Sequence, residues 1–181
     1  MVAYRSRRST LLGVVALFGA ATLTGMTTAR ASTAGLHDYG PAPELTGIAQ
    51  WLNSEPLTLA ELKGRVVLID FWTYSCINCL RSLPYVARWH EKFAGRGVVI
   101  VGVHTPEFGF EKSTRNVQAA IRRHGIIYPV AQDNQYATWK AFENQYWPAV
   151  YLIDRRGHIM LKHFGEGAYD DIERAVETLL D

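Results

Sequence analysis

With 181 residues, 48% of them apolar, the chain holds enough hydrophobic side chains for one packed core and too few residues for several domains. Its 19 basic and 17 acidic residues leave a formal charge of +2, but four of the arginines, and no acid, lie in the first 31 residues. The other 150 residues therefore carry −2 with no Lys/Arg run, which excludes the basic footprint of a nucleic-acid partner.

Arg5, Arg7 and Arg8 precede the apolar run "LLGVVALFGAATLTGM", and Ala29-Arg30-Ala31 supplies a small-x-small cleavage pattern. Residues 1–31 read as a signal peptide of a bacterial protein exported to the periplasm or beyond. The Arg7-Arg8 pair resembles a twin-arginine signal, although Thr10 stands where an aromatic is usual. The apolar run is shorter than the roughly 18–20 residues of a membrane span. An uncleaved anchor is the alternative, and a lipoprotein is excluded because no cysteine lies near the cleavage pattern.

Residues 32–46 are rich in Gly and Pro and read as a linker or extended lead-in to a domain over 47–181. A short strand is predicted around Gly47 to Leu52, turning at Asn53-Ser54. "VVLIDFW" (66–72) is the continuous apolar run of a strand buried on both faces. After Cys76 the period becomes helical, with Cys79, Leu83, Val86, His90 and Phe93 on the inward stripe. "GVVIVGVH" (97–104) is a second buried strand. A helix follows from about Ser113 to His124 with Gly125 as its stop. "IIYPV" reads as a short strand, and Gln135 to Glu143 as a short helix carrying Tyr136, Trp139 and Phe142. A hairpin through Asp154 to Gly157 and a helix over Tyr169 to Leu180 complete the chain. The order predicts an α/β fold with a mixed sheet and helices on both sides.

The chain's two cysteines, Cys76 and Cys79, stand three positions apart, and four chemistries use such a pair. Haem attachment needs C-x-x-C-H, and residue 80 is leucine. Zinc needs two further ligands; the only suitable histidine spacing, His158/His163, falls on one strand at odd separation, so the rings point apart. No metal is therefore expected. A structural disulfide closing so short a loop contributes only about 2 kcal/mol in the chain-entropy model. A redox centre explains the spacing best. Cys76 falls at a helix N-terminus, where free N–H groups and the dipole favour a thiolate and hence a nucleophile. Cys79 lies one turn inside, on the buried stripe, placed to attack a mixed disulfide.

"VVLIDFWTYSCINCLRSLP" resembles the thioredoxin signature, with Asp70, Phe71, Trp72, Cys76, Cys79 and Pro84 on its positions in turn. "YWPAV" matches the segment carrying the proline that thioredoxins hold in cis opposite the disulfide, here Pro148. "DFWTYSCINCLRSLPY" and "VGVHTPEFGFE" are similar to the exported TlpA-like thioredoxins of the AhpC/TSA-Redoxin group, and to the thioredoxin domain of DipZ-type proteins above all. The resemblance runs from about residue 47 to 181. It implies a thioredoxin fold with an N-terminal β extension and a central αβ insertion. It further implies a redox-active Cys76–Cys79 disulfide without other cofactor, disulfide-containing protein substrates, and a membrane electron donor of the CcdA/DsbD type. DipZ-type proteins also carry electron-transfer helices, for which no apolar run here is suited, so a separate soluble domain is expected.

By the same resemblance Asp70 is the base that takes the Cys79 proton, against the plainer reading that it bonds a neighbouring turn and never titrates. Trp72 and Tyr74 wall the site or belong to the core. Trp147 and Pro148 would offer backbone to an extended substrate. Ile77 and Asn78 would tune the potential. Ser82 stands where cytochrome c-reducing members often carry an acid; Glu107 and Glu111 lie in the loop after the second strand, and Glu107 is the candidate substitute, a solvated loop acid being the plainer reading. The competing activity is a thiol-dependent peroxidase of the peroxiredoxin type, since Thr73-x-x-Cys76 matches part of the peroxidatic motif; Ile69 replaces its proline, and a resolving cysteine so close is atypical.

Overall fold

The computed structural model describes residues 36–181. The leader expected over 1–31 and residues 32–35 lie outside the described residues. Six strands form one mixed sheet in the order β1-β4-β3-β2-β5-β6. They are β1 (Gln50–Leu52), β2 (Val66–Trp72), β3 (Val98–His104), β4 (Val130–Gln132), β5 (Ala149–Ile153) and β6 (Ile159–Phe164). The helices are α1 (Ile77–Phe93), α2 (Thr114–Arg123), α3 (Ala137–Ala141) and α4 (Tyr169–Leu180).

The unbroken apolar run of β2 makes it the centre, parallel to β3 and antiparallel to β5. Alternation along the strand sends Val66, Leu68 and Trp72 to one face, against residues of α1, α2 and α4. Val67, Ile69 and Phe71 go to the other, against Leu45, Leu59, Leu62 and the Trp139–Phe142 end of α3. Burying each Val, Leu, Ile or Phe side chain of β2 contributes roughly 1.5–3 kcal/mol. That sum offsets the one carboxylate the strand carries, Asp70, which shares the α1 face.

The β2–α1–β3 unit, the β5–β6 hairpin and α4 form the expected core of the fold. The α2–β4 segment is the insertion, with β4 extending the sheet parallel to β3, and β1 is the N-terminal extension, antiparallel to β4 at the edge. Strand β1 is shorter than its apolar letters suggest because it faces only the three residues Val130, Ala131 and Gln132. In "IIYPV" only the last residue is strand: Ile126 and Tyr128 turn inward, Ile127 is 63% exposed, and Pro129 offers a carbonyl to Gly102 N but no N–H. Helix α2 ends where expected, Gly125 taking the left-handed φ of +63°.

Two details differ from the sequence pattern. The inward stripe of α1 includes Trp89, 1% exposed, whose Nε1 donates to Glu173 Oε2 at 3.0 Å. His90 is only half-buried. Positions 86, 89, 90 and 93 all lie within the apolar arc of a helix, and the larger ring takes the centre. Residues 36–46 run alongside β6: His37 N and Tyr39 N donate to the Met160 and Ile159 carbonyls, and Ala42 N to that of Gly157. This lead-in covers the edge that β6 would otherwise expose.

Candidate active site

At the end of β2 the chain turns through Thr73, Tyr74 and Ser75 and enters α1, with Cys76 as the N-cap. Cys76 has extended backbone angles, and its Sγ accepts the Cys79 N–H at 3.3 Å, the role a capping side chain plays at a helix start. One turn on, the Cys79 side chain points into the α1 face of the core and is 1% exposed, while Cys76 is half-buried. Both thiols are unbridged.

The two thiols are electrostatically unequal. A hydrogen bond from the Cys79 thiol, reinforced by the N–H groups of Cys79 and Asn78, pulls the Cys76 thiol down to about 7, against burial and the charge of Glu107. Burial pushes the Cys79 thiol up, and its hydrogen bond to Cys76 raises it further. Asp70, 1% exposed, is raised to about 7, chiefly by burial and then by the charge on Cys76. Its Oδ1 has no hydrogen-bond partner. A carboxyl that shares protons near neutrality, beside a thiol that must lose one, has the properties of a general base.

The sheet brings the proline segment to the same end. Phe71 pairs with Ala149, so Pro148 stands opposite Trp72, one step from the turn that leads to Cys76. The Trp147–Pro148 peptide bond is cis. Trp147 Nε1 donates to the Thr105 carbonyl at 3.0 Å, and Thr105 N to the Trp72 carbonyl at 3.1 Å, tying this segment to the active-site turn.

Trp72 does not wall the site. It is fully buried, following Leu68 and Asp70 on the α1 face, and the strand's period of two leaves it no route to a substrate. Tyr74 is half-buried, donates Oη to the Phe110 carbonyl at 3.1 Å, and stacks on His104 with centroids 5.6 Å apart. Ile77, 59% exposed, projects from the first turn of α1 beside Cys76, with Asn78 also exposed. Ser82 Oγ bonds back to the Asn78 carbonyl at 3.0 Å.

The sequence pattern did not place Glu111 or His104 against the active-site turn. Glu107 is exposed as expected, but Glu111 is fully buried. Its Oε1 accepts Ser75 Oγ at 2.5 Å and Ser75 N at 3.3 Å; its Oε2 accepts the N–H groups of Glu107 at 2.6 Å and Phe108 at 2.8 Å. Burial alone would raise this carboxyl, yet the hydroxyls of Ser75 and Thr73 and the two N–H groups hold it below its ordinary value. Glu111 is thus an ionised clamp between the residue preceding Cys76 and the loop after β3. His104, buried beside it, faces Thr73 Oγ1 at 3.3 Å; burial, opposed by the Glu111 charge, lowers its imidazole to about 4 and keeps it neutral.

The profile of the AhpC/TSA family matches residues 40–162. The chain belongs to the AhpC/TSA family. Within it the chain is 49% identical over 149 residues to Protein DipZ of Mycobacterium tuberculosis, covering 81% of this chain and 21% of DipZ. It therefore spans about a fifth of that relative's length. It is 36% identical over 128 residues to the thiol-disulfide oxidoreductase YkuV of Bacillus subtilis, covering 70% of this chain and 84% of YkuV. Among solved structures, an oxidised thioredoxin-like protein superposes with a TM-score of 0.71 at 33% identity, over 77% of this chain and 94% of the other. The fold is thioredoxin-like.

Proposed function

We propose that this protein is a thiol-disulfide oxidoreductase that reduces disulfides in proteins outside the cytoplasm. The observation that carries this reading is the division of labour within one helical turn: a half-exposed Cys76 drawn toward the thiolate, and a buried Cys79 held as a thiol next to Asp70. The Cys76 thiolate attacks one sulfur of a substrate disulfide and expels the other as a thiolate that takes a proton from solvent. Cys79 then yields its proton to Asp70 and attacks Cys76 Sγ. The second substrate thiol departs, and the Cys76–Cys79 disulfide forms. Two electrons have passed to the substrate, and a membrane donor of the CcdA/DsbD type would restore them. The leader pattern of residues 1–31 supports a site of action outside the cytoplasm.

The exposed Ile77 and half-buried Tyr74 and Trp147 supply apolar contacts around Cys76, and the backbone before Pro148 is offered to an extended substrate chain. Thr73, on which a peroxidase reading depends, is buried with its hydroxyl engaged by His104 and Glu111, which supports the disulfide reading over the peroxidase one. Equilibration with glutathione tests the direction. A reductase should show a potential of about −270 mV, whereas a value of about −120 mV would make the protein an oxidant.

A further inference from the structure

The start of α1 gives its N–H groups to the weaker of two neighbouring caps. Serine is among the side chains most favoured at an N-cap, and cysteine is not. In "TYSCINC" the conventional cap is therefore Ser75. The helix instead begins one residue later. Cys76 keeps the extended backbone of a cap, its Sγ accepts the Cys79 N–H at 3.3 Å, and its carbonyl accepts Leu80 N at 3.0 Å. The Asn78 N–H bears on the same sulfur. A cap accepts from the second or third helical residue, so Ser75 in that role would take the N–H of Ile77 or Asn78. Cys76 would become the first helical residue, and the Cys79 N–H would turn to the Ser75 carbonyl four residues back. A shift of one residue would thus strip the sulfur of its backbone donors.

Glu111 denies Ser75 the capping place. Ser75 is exposed, so packing does not fix its hydroxyl. Its Oγ–H, at 2.5 Å, and its N–H, at 3.3 Å, both go to Glu111 Oε1. Glu111 cannot follow the serine, because it is fully buried and its Oε2 holds the N–H groups of Glu107 and Phe108 in its own loop. A hydrogen bond to a carboxylate is roughly twice as strong as a neutral one, so it outcompetes a serine cap. The titratable groups that face Glu111 are His104 of β3, held neutral, and Tyr136 before α3. Those that face Cys76 are Cys79 of α1, Asp70 of β2 and Glu107 of the loop after β3. None of them is a cation, so the backbone donors of the first turn matter to the sulfur.

We propose that Glu111 is a positioning residue for the exchange reaction: by holding the hydroxyl and N–H of Ser75 it sets the start of α1 at Cys76, so that the N–H groups of the first turn face a sulfur and not a serine oxygen. The proposal rests on Cys76 being the attacking thiolate. Glu111 acts through Ser75 and the helix start.

Alkylation of Cys76 by iodoacetamide against pH, read by mass, tests it in the reduced full-length protein. Glu111→Gln keeps the side chain's shape and removes its charge. A direct charge effect would lower the Cys76 midpoint, since a negative neighbour disfavours a thiolate. The capping role predicts the opposite sign, a rise of about one pH unit, short of the ordinary thiol range because the Cys79 thiol still donates. Adding Ser75→Ala removes the rival oxygen, and the midpoint of the double variant should return to the wild-type value near 7. Glu111→Asp, which withdraws the charge by one methylene, should show the same rise and the same rescue, and so decides the matter if Glu111→Gln does not fold. An unchanged or lowered midpoint in the Glu111 variants, or a rise that Ser75→Ala does not reverse, overturns the capping role while the wild-type midpoint stands. A wild-type midpoint in the ordinary thiol range overturns the reading of Cys76 as the attacker, and the proposal with it.

Discussion

Replacing Asp70 by asparagine is expected to remove a stability penalty of roughly 4 kcal/mol from the reduced protein at pH 8. The carboxyl has an ordinary value of 3.8 and is raised to about 7 in the fold, mainly by burial. Below pH 4 it is protonated in both states and contributes nothing. Between about 4 and 7 the unfolded chain ionises while the folded one stays neutral, so folding takes up a proton and stability falls as pH rises. Above about 7 both states are ionised and the loss is complete. Denaturant unfolding at pH 4 to 8 should show this decline in the wild type and not in Asp70→Asn. Parallel curves would mean that Asp70 does not titrate in this range. On the role proposed for Asp70, the gain in stability should accompany a loss of function of roughly a hundredfold in the resolving step, the size of general base catalysis.

Cys79→Ser is expected to convert a transient intermediate into a stable one. With Cys76 intact, attack on a substrate disulfide proceeds, but no second thiol completes the exchange, and the mixed disulfide persists. Cys76→Ser leaves only a thiol that is 1% exposed and pushed up by burial, and it should capture nothing. Non-reducing electrophoresis with a disulfide-bearing protein such as insulin distinguishes the two. Equal capture by both variants would contradict the assigned order of attack. The helix start explains the asymmetry: the N-cap position gives Cys76 N–H donors and partial exposure, while the residue three further on is carried into the core by the helical period.

Much of this architecture was legible because it rests on local periodicity. The run at 66–72 could be only a strand buried on both faces, and Tyr169–Leu180 has the expected bounds because its apolar face and its entry after Gly165 and Gly167 agree. The cysteine pair was legible because its spacing equals one helical turn. Glu111 was not. A glutamate in a loop reads as solvated, and its burial depends on donors from its own loop and on Ser75, 36 residues earlier. Trp72 was open for a related reason: adjacency to the motif suggests the site wall, but strand parity decides the face and puts it in the core.

The central claim is that one thiol of the pair is ready to attack near neutral pH and the other is not. Alkylation of the reduced protein by iodoacetamide across pH 5 to 10, with the modified peptide identified by mass, tests it directly. The expected result is modification confined to Cys76 with a rate midpoint near 7, the value set by the Cys79 hydrogen bond and the N-cap donors. A midpoint in the ordinary thiol range, or modification of Cys79 at a comparable rate, would contradict it.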